Sequence, residues 1–404
     1  MKYQSKKIGE VASVKGDKRL PKVMFVIDDP TSHPYLRIVD FADFGIDRTN
    51  IKYIDEEAFE KTKRYTINKA DVYISIAGTI GRVGIVPDDL SGANLTENAA
   101  KVTNISGEVD HKYLMYYLRG LEGQGKIANR TGGTSQPKLA LCRIADIDFP
   151  CPPLPIQRGA AKTLSAYDDL IENNRRRIQL LEQAARLLYK EWFVHLRFPG
   201  HEHTRIIDGV PEGWENVFLP DVIDVNPLTP LEKGKEVLYV PMSALSEAGM
   251  TADTSDFELR TTHTAVKFKK NDVLLARITP CLENGKTGYA YFLEDDEVAC
   301  GSTEFIVLRG RRVSSAFTYC LARSYQFRGN AIKSMIGSSG RQRVQVSCLD
   351  EYKVSLPPKH LLNVFDDIAK TAFDQIRVLV FQNEKLAKAR DLLLPKLMNG
   401  EVAG

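Results

Sequence analysis

The sequence predicts an α+β protein made of two copies of one mixed α/β domain and two long helices that partner each other. Three observations carry this. Residues 155–193 hold an apolar seam, Leu164, Tyr167, Ile171, Asn174, Ile178, Leu181, Ala185, Leu188 and Trp192, reached by alternating steps of three and four with Asn174 as its polar member. A mean step of 3.5 residues suits a helix that winds around another long helix, and at 1.5 Å per residue this one spans roughly 55 Å. Second, a shift of 205 residues returns the pattern near the C-terminus: Ile171 falls on Ile376, Asn174 on Leu379, Leu181 on Leu386, Leu188 on Leu393 and Trp192 on Leu397. Third, each helix follows a proline pair, Pro152-Pro153 and Pro357-Pro358, which enforces an extended entry.

The domains preceding the helices repeat as well. Tyr35–Val39 and the β-branched, aromatic run Asp71–Ile76 read as strands, the latter punctuated by Gly78, Gly81 and Gly84. Tyr113–Leu118 reads as the start of a buried helix, followed by a polar, glycine-rich segment, with Ile144–Phe149 as a closing strand. Asp71-Val72 corresponds to Asp272-Val273, Tyr113–Leu118 to 316–321, and Gly132-Gly133-Thr134 to Gly337-Ser338-Ser339. The drifting offset places small insertions in loops. Residues 194–213, rich in Pro, Gly and His, read as a linker. The expected organisation is a domain over 1–153, a helix over 154–197, a second domain over 198–356 and a second helix over 357–404.

Composition excludes several classes. With 404 residues, 43% apolar and 26% charged, the chain has the makings of two or three globular domains. It has neither an apolar run long enough to span a bilayer nor a signal-peptide core, so a cytoplasmic protein with no membrane partner is expected. Six scattered cysteines, at 142, 151, 281, 300, 320 and 348, include no Cys-x-x-Cys pair and suggest free thiols. A net charge of +3 is too small to mark a nucleic-acid binder without local basic patches. The segment Gly120–Ile127 matches G-x-x-x-x-G-K, but Ile127 stands where a phosphate loop needs Ser or Thr, and a helix precedes it instead of a strand. His201 and His203 have no cysteine or carboxylate cluster beside them. No nucleophile, base and orienter can be proposed together, so the chain reads as non-catalytic.

What remains is a set of polar, glycine-bearing loops at equivalent places in the two halves. In the first half they hold Thr79 and Arg82, then Arg130, Thr134, Ser135, Gln136 and Lys138; in the second they hold Arg277 and Thr279, then Lys333, Ser339, Arg341, Gln342 and Arg343. Such side chains reach base edges and phosphates, and glycine lets backbone approach closely. These residues are the candidate DNA contacts.

The phrases Gly133–Leu139 ahead of the first proline pair, Tyr167-Asp168-Asp169-Leu170-Ile171 with Asn173-Asn174, Leu187–Phe193, and the ending Arg390–Glu401 resemble the specificity subunits of type I restriction-modification enzymes over the whole chain. The second half departs from Gly78-Thr79, having Thr279-Pro280. The resemblance implies two target recognition domains, each reading one half of a split double-stranded DNA site. It implies that the helices pack as an antiparallel coiled coil that sets the gap and docks two modification subunits, joined by restriction subunits. It implies no cofactor in this chain, with S-adenosylmethionine, ATP and Mg in the partner subunits. A duplicated scaffold that binds protein instead of DNA is the other reading, and salt-dependent DNA binding separates the two.

With antiparallel helices level at their ends, residues whose numbers sum to about 555 lie opposite, and Asn174 and Asn383 sum to 557. The two are expected to set helix register, as buried Asn does in coiled coils. Leucine at both positions is expected to leave a folded protein that accepts more than one gap between half-sites; an unchanged gap in the double variant, read from its target sites, contradicts that role.

Overall fold

The structure is a computed structural model that describes residues 3–16, 18–21, 23–42, 45–48, 50–132, 137–232, 234–261, 265–338 and 340–401. It divides into two compact units, residues 1–173 with 383–404, and residues 174–382.

In the first unit, one four-stranded sheet runs Ser13–Gly16, Ala99–Thr103, Val72–Ser75 and Val83–Gly84 in spatial order, and a second runs Lys52–Tyr53, Pro34–Leu36, Ala93–Leu95 and Thr66–Ile67. The second unit repeats both. Its sheets run Ile223–Val225, Phe305–Gly310, Val273–Ala276 and Thr287–Tyr289, and Glu258–Arg260, Val237–Val240, Val298–Gly301 and Val266–Lys269. All pairs are antiparallel except one in each second sheet, Ala93–Leu95 with Pro34–Leu36 and Val298–Gly301 with Val237–Val240. The repeated Asp-Val phrase has a local cause. Asp71 accepts from the Asn68 amide (2.9 Å) and Asp272 from the Lys269 amide (2.8 Å), closing the same turn ahead of the same central strand.

The helices that back each first sheet are also equivalent. His111–Arg119 starts at Asp110, whose carboxylate accepts from the Tyr113 amide, and Ser315–Arg323 starts at Ser314, whose hydroxyl accepts from the Phe317 amide. Short polar side chains at these caps satisfy first-turn donors. The closing strand differs from the sequence expectation, and so do Arg130 and Lys333, expected in loops, which are the last residues of the helices Leu121–Arg130 and Tyr325–Lys333. The glycine-rich stretch folds as a helix, Leu121–Arg130, because Gly123 lies against the Tyr117 carbonyl and Leu118 where no Cβ fits. That close packing offsets the roughly 1 kcal/mol by which glycine weakens a helix. The closing strand is shorter than 144–149: Leu141–Ala145 is helical, and only Asp148–Pro150 pairs, with Ser5–Lys7.

The long helices are Leu154–Tyr189 and Lys359–Met398. Every member of the first seam is buried or half-buried, Asn174 at 6% exposure among them. Both units contain a piece of each helix, and in both the pieces are antiparallel. In the first unit Asp168 meets Arg390 (2.7 Å), and Leu164, Leu394 and Leu397 join one core with Tyr113 and Phe149. In the second, Tyr189 and Trp192 pack on Phe365 with ring centroids 6.2 and 6.3 Å apart, while Arg177 lines a groove with Asp374, Val378 and Leu379. Each compact unit therefore takes in a piece of both helices, packed into that unit's own core.

Polar side chains pin helix to domain. Gln157, fully buried, donates to the carbonyls of Glu108 (2.9 Å) and Pro152 (2.7 Å) and accepts from the Asp110 amide (2.9 Å). The equivalent tyrosines do likewise: Tyr116 donates to Asp168 (2.6 Å) and Tyr319 to Glu182 (2.7 Å). Burial first, then the adjacent carboxylate charge, holds both phenols well above their ordinary pKa. Replacing Gln157 by Ala strands two carbonyls and an amide in the interior. The expected loss is about 1–3 kcal/mol of unfolding free energy, checked by denaturant unfolding followed with a probe in the first unit.

Candidate nucleic-acid interface

In both units the two candidate loops are stitched together at one end of the first sheet. In the first unit the turn after Val72–Ser75 meets the loop that follows Leu121–Arg130. The Leu139 amide donates to the Ile76 carbonyl (3.0 Å), and Lys138 bridges to both Ala77 and Gly132. In the second unit the Val344 amide donates to the Arg277 carbonyl (2.8 Å), and Arg343 bridges to both Ile278 and Ile336. Thr279 adds a reciprocal pair, its amide donating to the Gln342 carbonyl and its hydroxyl accepting from the Gln342 amide, both at 3.0 Å. Five backbone positions therefore match across the repeat although the side chains differ.

The candidate residues fall into three groups. Thr79, Lys138, Lys333 and Arg341 are exposed. Arg82, Arg130, Arg277, Thr279, Gln342 and Arg343 are engaged within their own unit. Arg82 donates to the Phe41 carbonyl (2.5 Å), Arg130 to the Asp146 carbonyl (3.2 Å), and Arg277 approaches Glu304 at 4.0 Å. Arg343 forks onto Glu304 with contacts of 2.7 and 2.9 Å, and that carboxylate holds its guanidinium above the ordinary pKa. Thr134, Ser135, Gln136 and Ser339 lie outside the described residues. Asn174 belongs to the second unit and half-buried Asn383 to the first.

The sequence reading missed the residues beneath the loops. Gln124 donates to the carbonyls of Gly81 (2.9 Å) and Leu118 (2.8 Å). Arg328 donates to those of Leu282 (3.1 Å) and Glu283 (2.8 Å), and Arg323 to those of Gly285, Glu247 and Ala248. Burial, and then the charges of Arg323 and Arg186, pulls the Arg328 guanidinium below its ordinary pKa. Arg143 supports the other loop by donating to the Arg130 carbonyl (2.7 Å). The signal was available, since Gln124 and Arg328 stand 204 residues apart on equivalent helices. Among the described residues no group of three or more His, Cys, Asp or Glu is placed to hold a metal ion, and no helix is long and apolar enough to cross a membrane.

A family described as the type I restriction modification DNA specificity domain matches residues 1–183 and 211–361. The chain is a type I restriction-modification specificity subunit. Similar proteins include the MjaIX specificity subunit of Methanocaldococcus jannaschii, 23% identical over 86% of this chain and 81% of that protein. The MjaVIII specificity subunit of the same organism is 24% identical over 98% of this chain and 92% of that protein. The crystal structure of the S subunit of a type I restriction-modification system from M. genitalium shares the fold, with a TM-score of 0.56 at 15% identity over 98% of this chain and 96% of that one. As a specificity subunit the chain has a general role in DNA recognition and in docking its partner subunits, and it is itself non-catalytic.

Proposed function

We propose that each unit reads one half of a split, asymmetric double-stranded DNA site. The observation that carries this is the paired-loop platform, repeated in both units on the same backbone bridges but with different side chains. A duplicated frame with diverged tips suits two readers of two different half-sites. Thr79, Arg82, Arg130 and Lys138 serve the first half-site, with Thr134, Ser135 and Gln136. Arg277, Thr279, Lys333, Arg341, Gln342 and Arg343 serve the second, with Ser339. The long helices set the number of unread base pairs between the halves, with Asn174 and Asn383 fixing register. They dock two modification subunits, which restriction subunits join, and the assembly works in the cytoplasm. On this reading 1–153 and 198–356 are the target recognition domains and 154–197 and 357–404 the spacer helices.

Electrostatics suits the reading. The Arg343–Glu304 pair is partly exposed, with side-chain exposures of 45% and 23%. An exposed ion pair is worth about 0–1 kcal/mol, so Arg343 can leave Glu304 for a phosphate or a guanine edge at small cost. Arg343→Ala is expected to weaken binding of the assembled complex to its target duplex by about 1–3 kcal/mol, measured by fluorescence anisotropy across a salt series. Wild-type binding that does not fall with salt argues for the scaffold reading instead.

A further inference from the structure

We infer that Gln124 and Arg328 are positioning residues for half-site specificity, each fixing from beneath the turn that presents its own unit's reading side chains. This rests on the half-site reading proposed above.

The geometry is matched in detail. In each unit the turn leaves the central strand and returns through one backbone bond, Ser75 amide to Arg82 carbonyl (2.9 Å) in the first and Ala276 amide to Lys286 carbonyl (3.1 Å) in the second. Each turn ends on a glycine in the left-handed region, Gly81 at φ 91° and Gly285 at φ 90°. In both, that glycine lies against the side chain in question: a Cβ on Gly81 meets Gln124 Oε1 at 2.9 Å, and one on Gly285 meets Arg328 Nη1 at 3.3 Å. Gly81 and Gly285 stand 204 residues apart, as do Gln124 and Arg328. The same helical position grips the same turn twice, with different chemistry.

The two turns differ in length. Residues 276 to 286 enclose a turn three residues longer than residues 75 to 82 do, and its anchored carbonyls, at Leu282, Glu283 and Gly285, spread over more chain than the Gly81 carbonyl of the shorter turn. A single amide serves the shorter one, donating to Gly81 and, at the end of the preceding helix, to Leu118. The longer turn takes a guanidinium fork, which can donate to several acceptors at once. Arg328 holds Leu282 and Glu283, while Arg323 holds Gly285. Neither Gln124 nor Arg328 lies on the platform itself. Each acts through the turn that carries Thr79 and Arg82, or Arg277 and Thr279. A turn freed from its anchor samples several conformations, and base discrimination falls because hydrogen-bond readout needs its donors in place.

The test is selection from a duplex library randomised at both half-sites, using the full chain assembled with its modification subunit. Gln124→Met keeps the length of the side chain and removes its donors. It is expected to reduce discrimination at one half-site by about tenfold at its strongest position, the worth of one well-placed base contact, while the other half-site and the gap are selected as in the wild type. Arg328→Met is expected to do the same at the opposite half-site, and Arg328→Lys, which can still donate to both carbonyls, to restore much of it. The retained half-site reports on folding and assembly within the same molecule. Wild-type discrimination at both halves in the Met variants overturns the inference, as does equal loss at both halves. A wild-type complex that selects no split sequence overturns the half-site reading and the inference together.

Discussion

An apolar seam on a helix of some 35 residues must be kept from water along its length, and the organisation of this chain follows from that constraint. The first seam is matched by its duplicate, and in each unit the two run antiparallel. The cover is completed by the domains. Leu164, Leu394 and Leu397 belong to the core that holds Tyr113 and Phe149, and Ile178, Ala185, Phe365 and Phe373 belong to the core that holds Tyr289 and Phe317. Helix and reader are thus one packed body in each unit. Burial of a single large apolar side chain is worth about 1.5–3 kcal/mol, so within each unit a domain anchored through several of them is held firmly to its helix pieces.

A second layer of order sits between the helices and the reading loops. Its members are polar and buried or half-buried: Gln157 at the entry of the first long helix, Tyr116 with Asp168, Tyr319 with Glu182, and the donors beneath the turns. Each satisfies groups that would otherwise be stranded in a low-dielectric interior. None needs to touch DNA to matter for recognition. The division of labour is chemical: apolar contacts hold the frame, side-chain amides and guanidinium groups hold backbone carbonyls, and exposed loop side chains differ between the two copies.

Much of this was legible in the sequence because it is periodic or repeated. The seam from Leu164 to Trp192 announced the long helix, and the recurrence of Asp71-Val72 as Asp272-Val273 announced the duplicated strand, whose turn proves to be closed by the same carboxylate bond. The helical state of Leu121–Arg130 was hidden because its glycines argue locally against a helix, and only tertiary packing of Gly123 on Tyr117 reverses that. The cores that receive the helix pieces were hidden as well, since periodicity shows that a seam is covered and not by which residues. Among the candidate DNA contacts, the composition of the segments and their placement in both copies were legible in the sequence. The intramolecular roles of Arg82, Arg130 and Arg343 were not, because a carbonyl or a carboxylate brought near by folding leaves no mark in the local sequence.

The central claim is that two diverged copies of one frame read two different half-sites at a fixed separation. The most direct measurement is a genome-wide map of methylated adenines in cells that express this chain with its neighbouring modification subunit. Half-site reading by two diverged copies predicts one split, asymmetric motif with a constant gap. A continuous motif, a gap that varies from site to site, or no methylation by a well-formed complex contradicts it.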